Sequence, residues 1–433
     1  MDVLILNPGT VNKEFKTEHL GIASLKAYLL AKEYDAEILD TAIEELTVKD
    51  TVERILKLNP LLLGVSMIDA TKDKGLAIIK QLRTEGYQGK IVAGGYFATF
   101  ASCELLRDFS EIDFIVRGEG ELSLEELCAK IIRNKDINYC EIHGLTFRNS
   151  GRIIENPARK LIEDLDILPP VDRKYTQDVI GNSSSIRIYA SRGCWGQCAF
   201  CDIINFYKTS PGRKWRRRSV SHLVDEIQNL IEVFGENYFV FNDDQFLSKG
   251  QTAYEYASDL ADELKRRNIT IKFELMCRAD AIDKRTMLLL KSIGLQRVFL
   301  GIESFNKAQL ERFNKKITVY RNLKALITLY KLKIDVITAV ILADAYTTLT
   351  ELLEHFYLLY QLRKRYFNSD YCRISVNKQI EVYRGSMLYK QYKTNDLLTT
   401  DNYMDGCNYR LRFWTNLRLK LLEFEEKLGK AFS

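Results

Sequence analysis

Short apolar runs alternate with amphipathic stretches along the first third of the chain. Runs that are apolar throughout are typical of parallel strands covered by helices on both faces. Five such runs are each followed by a segment with helical periodicity: DVLILN (2–7), AEILD (36–40), LLLGVSM (61–67), IVAGG (91–95) and IDFIVRGEGE (112–121). We therefore predict an α/β fold that begins with a doubly wound, Rossmann-like (flavodoxin-like) domain over residues 1–135.

The next fifty residues lose this alternation. GLTFRNSGRIIENPAR (144–159) is typical of a β-hairpin with Asn149-Ser150-Gly151 at its turn. Adjacent Pro169 and Pro170 favour extended backbone and mark a boundary. We predict a hairpin and a proline-containing linker over residues 136–185, which lead into a second domain.

A second alternation of strand and helix patterns follows the linker. Its strand candidates are IRIYA (186–190), YFVFND (238–243), IKFELMC (271–277), RVFLGIE (297–303), DVITAVILA (335–343) and CRISVNKQI (372–380). Six β/α units predict a partial (β/α)6 TIM-like barrel over residues 186–385, with its site at the carboxyl ends of the strands. Residues 386–433 are aromatic and charged, and we expect a short helical C-terminal tail there.

Composition narrows the class of protein. The 433 residues are 46% hydrophobic and 28% charged, with a net charge of +5, which is ordinary for a globular protein and too mild to argue for nucleic acid. No run approaches the roughly 20 apolar residues of a membrane-spanning helix, and MDVLILNPGT is too short for a secretory segment. An odd number of cysteines favours a reducing compartment, so we expect a cytoplasmic protein.

Three of the nine cysteines are crowded into SRGCWGQCAFC (191–201). Three thiolates spaced C-x3-C-x2-C can hold a cubic iron–sulfur cluster and leave one of its four irons open. A structural zinc site normally needs four protein ligands, and the nearest histidine, His222, has no C-x-x-C partner. We therefore predict that Cys194, Cys198 and Cys201 ligate a [4Fe-4S] cluster, against the alternatives of zinc and of chance crowding.

With this motif directly after a strand, the chain resembles the radical S-adenosylmethionine (SAM) superfamily. GIESFNKAQLERFNKK (301–316) also resembles a family pattern, whereas LADAYTTLTEL (342–352) departs from the family's G-x-P-G-E-T. The resemblance implies that the open iron chelates SAM and that one electron cleaves it to a 5′-deoxyadenosyl radical. For Asp243, a structural ion pair is an equal alternative. The residues expected to contact SAM are Phe200, Asp243, Glu274, Arg278 and Glu303.

The first domain resembles the cobalamin-binding domain that precedes many radical SAM enzymes. A histidine motif that ligates cobalt in other cobalamin proteins is missing after the first strand, where the sequence is NPGTVNKEF. Cobalamin binding and an empty scaffold therefore both stay open, and each glycine pair could simply form a tight turn. The residues that the resemblance and their positions at strand ends assign to a cobalamin groove are Ser66, Gly94, Gly95, Gly118 and Glu119.

Together these resemblances imply cobalamin-dependent methylation of an unactivated carbon in a natural product or other small molecule. One alternative is a dehydratase, deoxygenase or rearrangement enzyme with a vestigial cobalamin domain, and another is a non-catalytic electron-transfer or sensor protein. The partners expected are a small-molecule or peptide substrate and a reductase or flavodoxin-type electron donor, with no membrane. RKWRRR (213–218) could suggest RNA, but tRNA-modifying relatives carry further cluster cysteines and a small RNA-binding barrel that this sequence lacks. Cys407 could quench a radical, ligate a second cluster or merely pack.

Overall fold

The structure is a computed structural model, and it describes residues 1–9, 16–183, 185–366, 372–402, 404, 406–411 and 416. The strands are β1 (Val3–Asn7), β2 (Ala36–Asp40), β3 (Leu62–Ser66), β4 (Lys90–Gly94), β5 (Phe114–Val116), β6 (Leu145–Asn149), β7 (Arg152–Glu155), β8 (Ile186–Ile188), β9 (Ser191–Gly193), β10 (Trp215–Arg217), β11 (Tyr238–Phe241), β12 (Lys272–Arg278), β13 (Leu295–Glu303), β14 (Asp335–Ala343), β15 (Cys372–Gln379), β16 (Leu398–Asn402) and β17 (Gly406–Tyr409). The helices are α1 (Leu20–Ala31), α2 (Val48–Leu58), α3 (Lys72–Thr84), α4 (Tyr96–Phe100), α5 (Ser102–Asp108), α6 (Glu121–Ile131), α7 (Thr176–Ser183), α8 (Asp202–Lys208), α9 (Val220–Phe234), α10 (Gly250–Arg266), α11 (Lys284–Ser292), α12 (Lys307–Arg312), α13 (Val319–Lys331), α14 (Leu349–Tyr366) and α15 (Met387–Thr394).

The first sheet has the order β2-β1-β3-β4-β5-β6-β7. Its first five strands are parallel, and β6 and β7 extend it as an antiparallel hairpin in which Asn149 pairs with Arg152. The predicted doubly wound domain is thus confirmed, and the predicted hairpin forms the antiparallel edge of its sheet. The order in which strands are added to the sheet reverses between β1 and β3. Ligands of such folds bind at this switch point, outside the carboxyl ends of the strands.

Local sequence explains why these elements form where they do. β1 is buried on both faces because Val3, Leu4, Ile5 and Leu6 meet the helices on either side. α2 begins with a capping box in which Thr47 accepts a hydrogen bond from the Asp50 backbone and Asp50 accepts one from the Thr47 backbone. The carboxyl ends of the strands are thereby held at fixed positions.

The second sheet has six strands in the order β15-β14-β13-β12-β11-β8. The pairs β12–β13, β13–β14 and β14–β15 are parallel, as expected for a partial barrel. The β13–β14 register shifts between Gly301 and Glu303, where two residues face one residue of β14. Glu303 has φ 64, so the strand ends in a left-handed residue that is not glycine.

By compactness the chain divides into two units, one of residues 1–188 and 205–238, the other of residues 189–204 and 239–433. In the second unit, the described part of the tail differs from the prediction. Helix α15 is followed by the antiparallel strands β16 and β17, because the LLTT segment (397–400) carries β-branched threonines that favour a strand. Residues 403, 405, 412–415 and 417–433 of the predicted helical tail lie outside the described residues. The helices in the described part of the chain are all too short or too polar to cross a membrane.

Candidate functional site

The carboxyl edge of the first sheet brings together the predicted cobalamin residues. Ser66 ends β3 and Gly94 ends β4, and the two residues pair in register. Gly95 follows directly and precedes helix α4. Gly118 follows β5 and donates its backbone N–H to Thr99 Oγ1 over 3.1 Å. β3 and β4 thus end in small residues, and a glycine lies two residues beyond β5 at the same edge.

The two glycines after β4 have different reasons to be glycine. Gly95 has φ 95, and a Cβ there would lie 2.7 Å from the Met67 carbonyl oxygen, so the backbone itself excludes a side chain. Gly94 has no such constraint, because a Cβ would meet only the Val116 carbonyl oxygen at an ordinary 3.5 Å. Neither the backbone conformation nor a close neighbour therefore requires a glycine at position 94.

Glu119 is turned into the protein. Its Oε2 accepts hydrogen bonds from the Ile162 N–H over 3.0 Å and from Arg216 Nη1 over 2.8 Å. The Arg216 side chain is fully buried and that of Glu119 is 8% exposed, so this is a buried ion pair. Glu119 holds the backbone beside the edge, and a direct contact with cobalamin stays a prediction.

His19 lies at the same edge and was not among the predicted residues. It caps the N-terminus of α1, where its Nδ1 accepts a hydrogen bond from the Ile22 N–H. Its Nε2 is 3.3 Å from Ser66 Oγ, and burial lowers the pKa of the imidazole against an opposing influence of Asp40. The sequence signal for His19 is a histidine directly before a helical pattern, whereas the cobalt-ligating histidine motif is expected immediately after β1.

The cysteine loop follows β9 in the second unit. The Gly196 N–H points at Cys194 Sγ over 3.2 Å, and Cys198 is buried. Burial, with a smaller contribution from the nearby Cys198, raises the pKa of Cys194 to about 11 and that of Cys201 to about 12. Among the described residues, no group of three His, Cys, Asp or Glu side chains is placed to hold one metal ion. A cubic cluster has a different requirement, because each of the three thiolates binds a separate iron.

Arg278, at the end of β12, reaches this loop. Its Nη1 donates to Cys198 Sγ over 3.1 Å, its Nε to Asp280 Oδ1 over 2.9 Å and its Nη2 to the Lys315 carbonyl oxygen over 2.5 Å. Burial by itself would lower the pKa of the guanidinium, but Cys198 and Asp280 outweigh it and raise that pKa. A Cβ on Gly196 would lie 3.0 Å from Arg278 Nη1, so this glycine leaves room for the guanidinium.

Glu303 and Phe200 meet a residue that was not predicted, Lys315. Lys315 Nζ is 2.9 Å from Glu303 Oε1, and its side chain is 3% exposed. The ammonium also lies 5.9 Å from the centre of the Phe200 ring, which packs edge-on against Phe313 at 5.2 Å. Burial would lower the pKa of Lys315, but Glu303 and Cys198 outweigh it and raise that pKa. The NK pair in GIESFNKAQLERFNKK was the signal for Lys315.

The two acids after β11 have separate surroundings. Asp243 is buried and accepts hydrogen bonds from the Ala190 N–H, over 3.2 and 3.1 Å to its two oxygens, and from the Ser191 hydroxyl. It therefore fixes the chain leading into the cysteine loop, and contact with SAM stays a prediction. Burial and the Asp243 charge raise the pKa of Asp244 to about 7, against a hydrogen bond from the Gly193 N–H. Asp244, the second acid expected at this strand end, is thus the one of the pair whose pKa lies near neutral.

The structure does not bring Glu274 to the other predicted SAM residues. Glu274 is the third residue of β12, and its Oε1 accepts a hydrogen bond from Arg297 Nη1 over 2.8 Å. Arg297 also donates to Asp335, the first residue of β14, over 2.6 Å. This charged row crosses the sheet near the amino ends of its strands, opposite the ends that carry Arg278 and Glu303.

Comparison with known proteins matches each of the two regions of the chain to a protein family. The B12 binding domain family matches residues 8–128, and the Radical SAM superfamily matches residues 188–356. An uncharacterized methyltransferase of Pyrococcus horikoshii is 26% identical over 391 residues, which cover 89% of this chain and 80% of that protein. Anaerobic magnesium-protoporphyrin IX monomethyl ester cyclase of Synechocystis is 30% identical over 329 residues, or 73% of this chain and 63% of that protein.

A solved structure has the same fold. The cobalamin-dependent SAM radical enzyme OxsB, with aqua-cobalamin bound, superposes with a TM-score of 0.81 at 18% identity, over 95% of this chain and 64% of that one. The residues described above fit the family's cofactors, a [4Fe-4S] cluster, SAM and cobalamin. Three cysteines share one loop with a charge-assisted donor to Cys198, and a Cβ at Gly94 would meet the Val116 carbonyl oxygen at an ordinary 3.5 Å. The chain is therefore a radical SAM enzyme of the subgroup that carries an N-terminal B12-binding domain.

Proposed function

We propose that this protein methylates an unactivated carbon of a small-molecule substrate with cobalamin as the methyl carrier. The observation that carries the proposal is the glycine at position 94, since neither a positive φ nor a backbone clash requires it. A domain retained only as a scaffold would have no need for that space. Bound cofactors would supply the chemistry, the cluster by reductive cleavage of SAM and cobalamin by carrying the methyl group.

The protein's own residues bind and orient these groups. Cys194, Cys198 and Cys201 would hold the cluster, and Arg278 donates to the thiol of Cys198. Asp243 fixes the backbone at Ala190 and Ser191, which leads into the cysteine loop. Ser66, Gly94 and Gly118 would line the cobalamin groove.

The relatives favour this function without fixing the substrate. One similar protein is named a methyltransferase and another a cyclase. Ring closure without methyl transfer is therefore the second candidate, and it corresponds to the rearrangement alternative. The two reactions differ in a by-product, because methyl transfer from SAM leaves S-adenosylhomocysteine whereas radical formation leaves 5′-deoxyadenosine.

Radical SAM enzymes need a reductant, and we propose a small-molecule or peptide substrate for this one. We propose a flavodoxin-type or reductase electron donor and a cytoplasmic location, as the cluster must be reduced for each cleavage. Nucleic acid is not part of the proposal, because the basic run 213–218 is engaged within its own unit. Arg216 pairs with Glu119, Arg218 with Glu226 and Arg213 with Glu163.

Cobalamin binding tests the role of Gly94. The full chain, with its cluster reconstituted anaerobically, is mixed with hydroxocobalamin and desalted. We expect stoichiometric retention by wild type and several-fold less by Gly94→Leu, whose side chain would fill the groove. Gly64→Ala is the matched control, because a Cβ on this β3 glycine meets Ile5 at an ordinary 3.8 Å. Equal retention by Gly94→Leu and Gly64→Ala would contradict the proposed groove.

Product analysis tests the methyl transfer. Cobalamin-loaded enzyme with SAM and dithionite should release both S-adenosylhomocysteine and 5′-deoxyadenosine. Cys198→Ala should abolish 5′-deoxyadenosine. Release of 5′-deoxyadenosine alone, with cobalamin bound, would favour the rearrangement candidate over the methyltransferase.

A further inference from the structure

Two buried cations lie at the loop that carries Cys198. Arg278 Nη1 is 3.1 Å from Cys198 Sγ, and the Arg278 side chain is 7% exposed. Lys315 is joined to Arg278 through its own carbonyl oxygen, and its ammonium lies 5.9 Å from the centre of the ring of Phe200, two residues after Cys198.

The carboxylates that balance these cations contact them at other atoms. Asp280 contacts Arg278 through Nε and, more distantly, Nη2, whereas Nη1 is the atom that meets the sulfur. Lys249 adds a further positive charge, since its Nζ is 2.5 Å from Asp280 Oδ2 and 4.2 Å from the centre of the Trp195 ring. Glu303 pairs with Lys315. These two carboxylates thus leave Nη1 of Arg278 directed at Cys198 Sγ.

The engagement of Arg278 also bears on the expectation that it contacts SAM. Its Nε, Nη1 and Nη2 all have acceptors within the protein. Its guanidinium is held in place by these contacts and lies 4.9 Å from the centre of the Trp195 ring. The guanidinium is thus directed at the cysteine loop, and each of its three nitrogens already donates to an acceptor within the protein.

Charge near an iron–sulfur cluster changes how easily it takes up an electron. Reduction adds one negative charge, and cluster potentials depend on net charge and on hydrogen bonds to the sulfurs. A charge-assisted N–H···S contact stabilises the more negative, reduced state more than the oxidised state. We propose that Arg278 and Lys315 raise the reduction potential of the cluster by placing two buried cations at the loop that carries Cys198, one of them in contact with its sulfur. The inference rests on the cluster of the proposed function and is independent of methyl transfer.

The test is a potentiometric titration of the full chain with its cluster reconstituted. Dithionite supplies the electron, the reduced cluster is measured by EPR, and neither SAM, cobalamin nor substrate is present. At a fixed potential we expect Arg278→Met to lower the ratio of reduced to oxidised cluster by about tenfold, which corresponds to about 59 mV for one electron. Lys315→Met should shift the ratio in the same direction, and Lys315→Arg should restore it.

Arg297→Met is the matched control. Arg297 also pairs with two carboxylates on the same sheet, but it lies six residues before Glu303 on β13, or about 20 Å along the strand. Its loss should leave the potential unchanged. If Arg278→Met retains no iron, Lys315→Met and Arg278→Lys decide by the same titration. Shifts no larger than that of Arg297→Met overturn the proposal. A methylation assay could fail without affecting this result, so the two proposals are separable.

Discussion

His355 gives the structure a defined sensitivity to acid. It lies in α14 with 1% of its surface exposed, and its Nε2 accepts a hydrogen bond from the Phe305 N–H over 3.1 Å. Burial lowers its pKa from 6.5 to about 4. The neutral imidazole therefore anchors the backbone two residues after Glu303, and protonation would both bury a charge and remove the acceptor.

The sign and size of the effect follow from proton linkage. Between pH 6.5 and about 4 the unfolded chain binds the proton while the folded chain does not, so stability falls as the pH falls through this window. The difference between the two pKa values is worth about 3.4 kcal/mol in total, of which about 2 kcal/mol is lost by pH 5. Above pH 6.5 the contribution is fully present.

Urea unfolding of wild type and His355→Gln, followed by far-UV circular dichroism, measures this contribution. The glutamine carbonyl can accept the Phe305 N–H but cannot titrate in this range. We expect the stability advantage of wild type over the variant to shrink by about 2 kcal/mol between about pH 7.5 and about pH 5. Taking the difference cancels groups that titrate in both proteins. An advantage that stays constant with pH would refute the reasoning.

Three further substitutions test the geometry of the two sites. Gly95→Ala should lower the free energy of unfolding by about 3 kcal/mol, measured by thermal unfolding, because of its positive φ and the clash with the Met67 carbonyl oxygen. Gly86→Ala, with φ 89 and open space around it, should show only the backbone part of this cost. Equal costs for the two variants would contradict the clash. Arg216→Met should cost about 3 kcal/mol by leaving the Glu119 carboxylate unpaired, and Glu119→Gln in the same chain should recover part of that stability in denaturant titrations. Gly196→Ala should reduce iron content after reconstitution several-fold, since its Cβ would lie between Arg278 and Cys194; iron analysis at wild-type level would argue against this crowding.

Sequence patterns predicted the parts of this molecule that depend on local order. The apolar runs identified β1, β3 and β4, and the crowded cysteines identified the cluster loop, because both signals lie within a few consecutive residues. Strand ends are less certain, and Glu274 shows the consequence. In sequence it lies four residues before Arg278, but strand register pairs it with Arg297 at the other end of the sheet.

The residues that sequence reasoning missed depend on long-range contacts. Lys315 lies twelve residues after Glu303 and gains its place through an ion pair made only in the folded chain. His19 meets Ser66 across 47 residues. Asp243 and Asp244 are two adjacent aspartates that the sequence alone does not distinguish. In the structure Asp243 accepts hydrogen bonds from the backbone, whereas burial and the Asp243 charge raise the pKa of Asp244 to about 7. Such roles follow from packing, which periodicity does not encode.

The left-handed Glu303 limits how this enzyme can be redesigned. A non-glycine residue at φ 64 costs about 1–3 kcal/mol and persists only where its surroundings hold it there. The ion pair between Glu303 and buried Lys315 is one contact at this position. Changing Glu303 alone would leave the ammonium of buried Lys315 without this partner. Changing Lys315 alone would leave the strained backbone of Glu303 without this contact. A library that varies positions 303 and 315 should therefore vary them jointly, with Gly or Asn at 303 matched to an uncharged residue at 315.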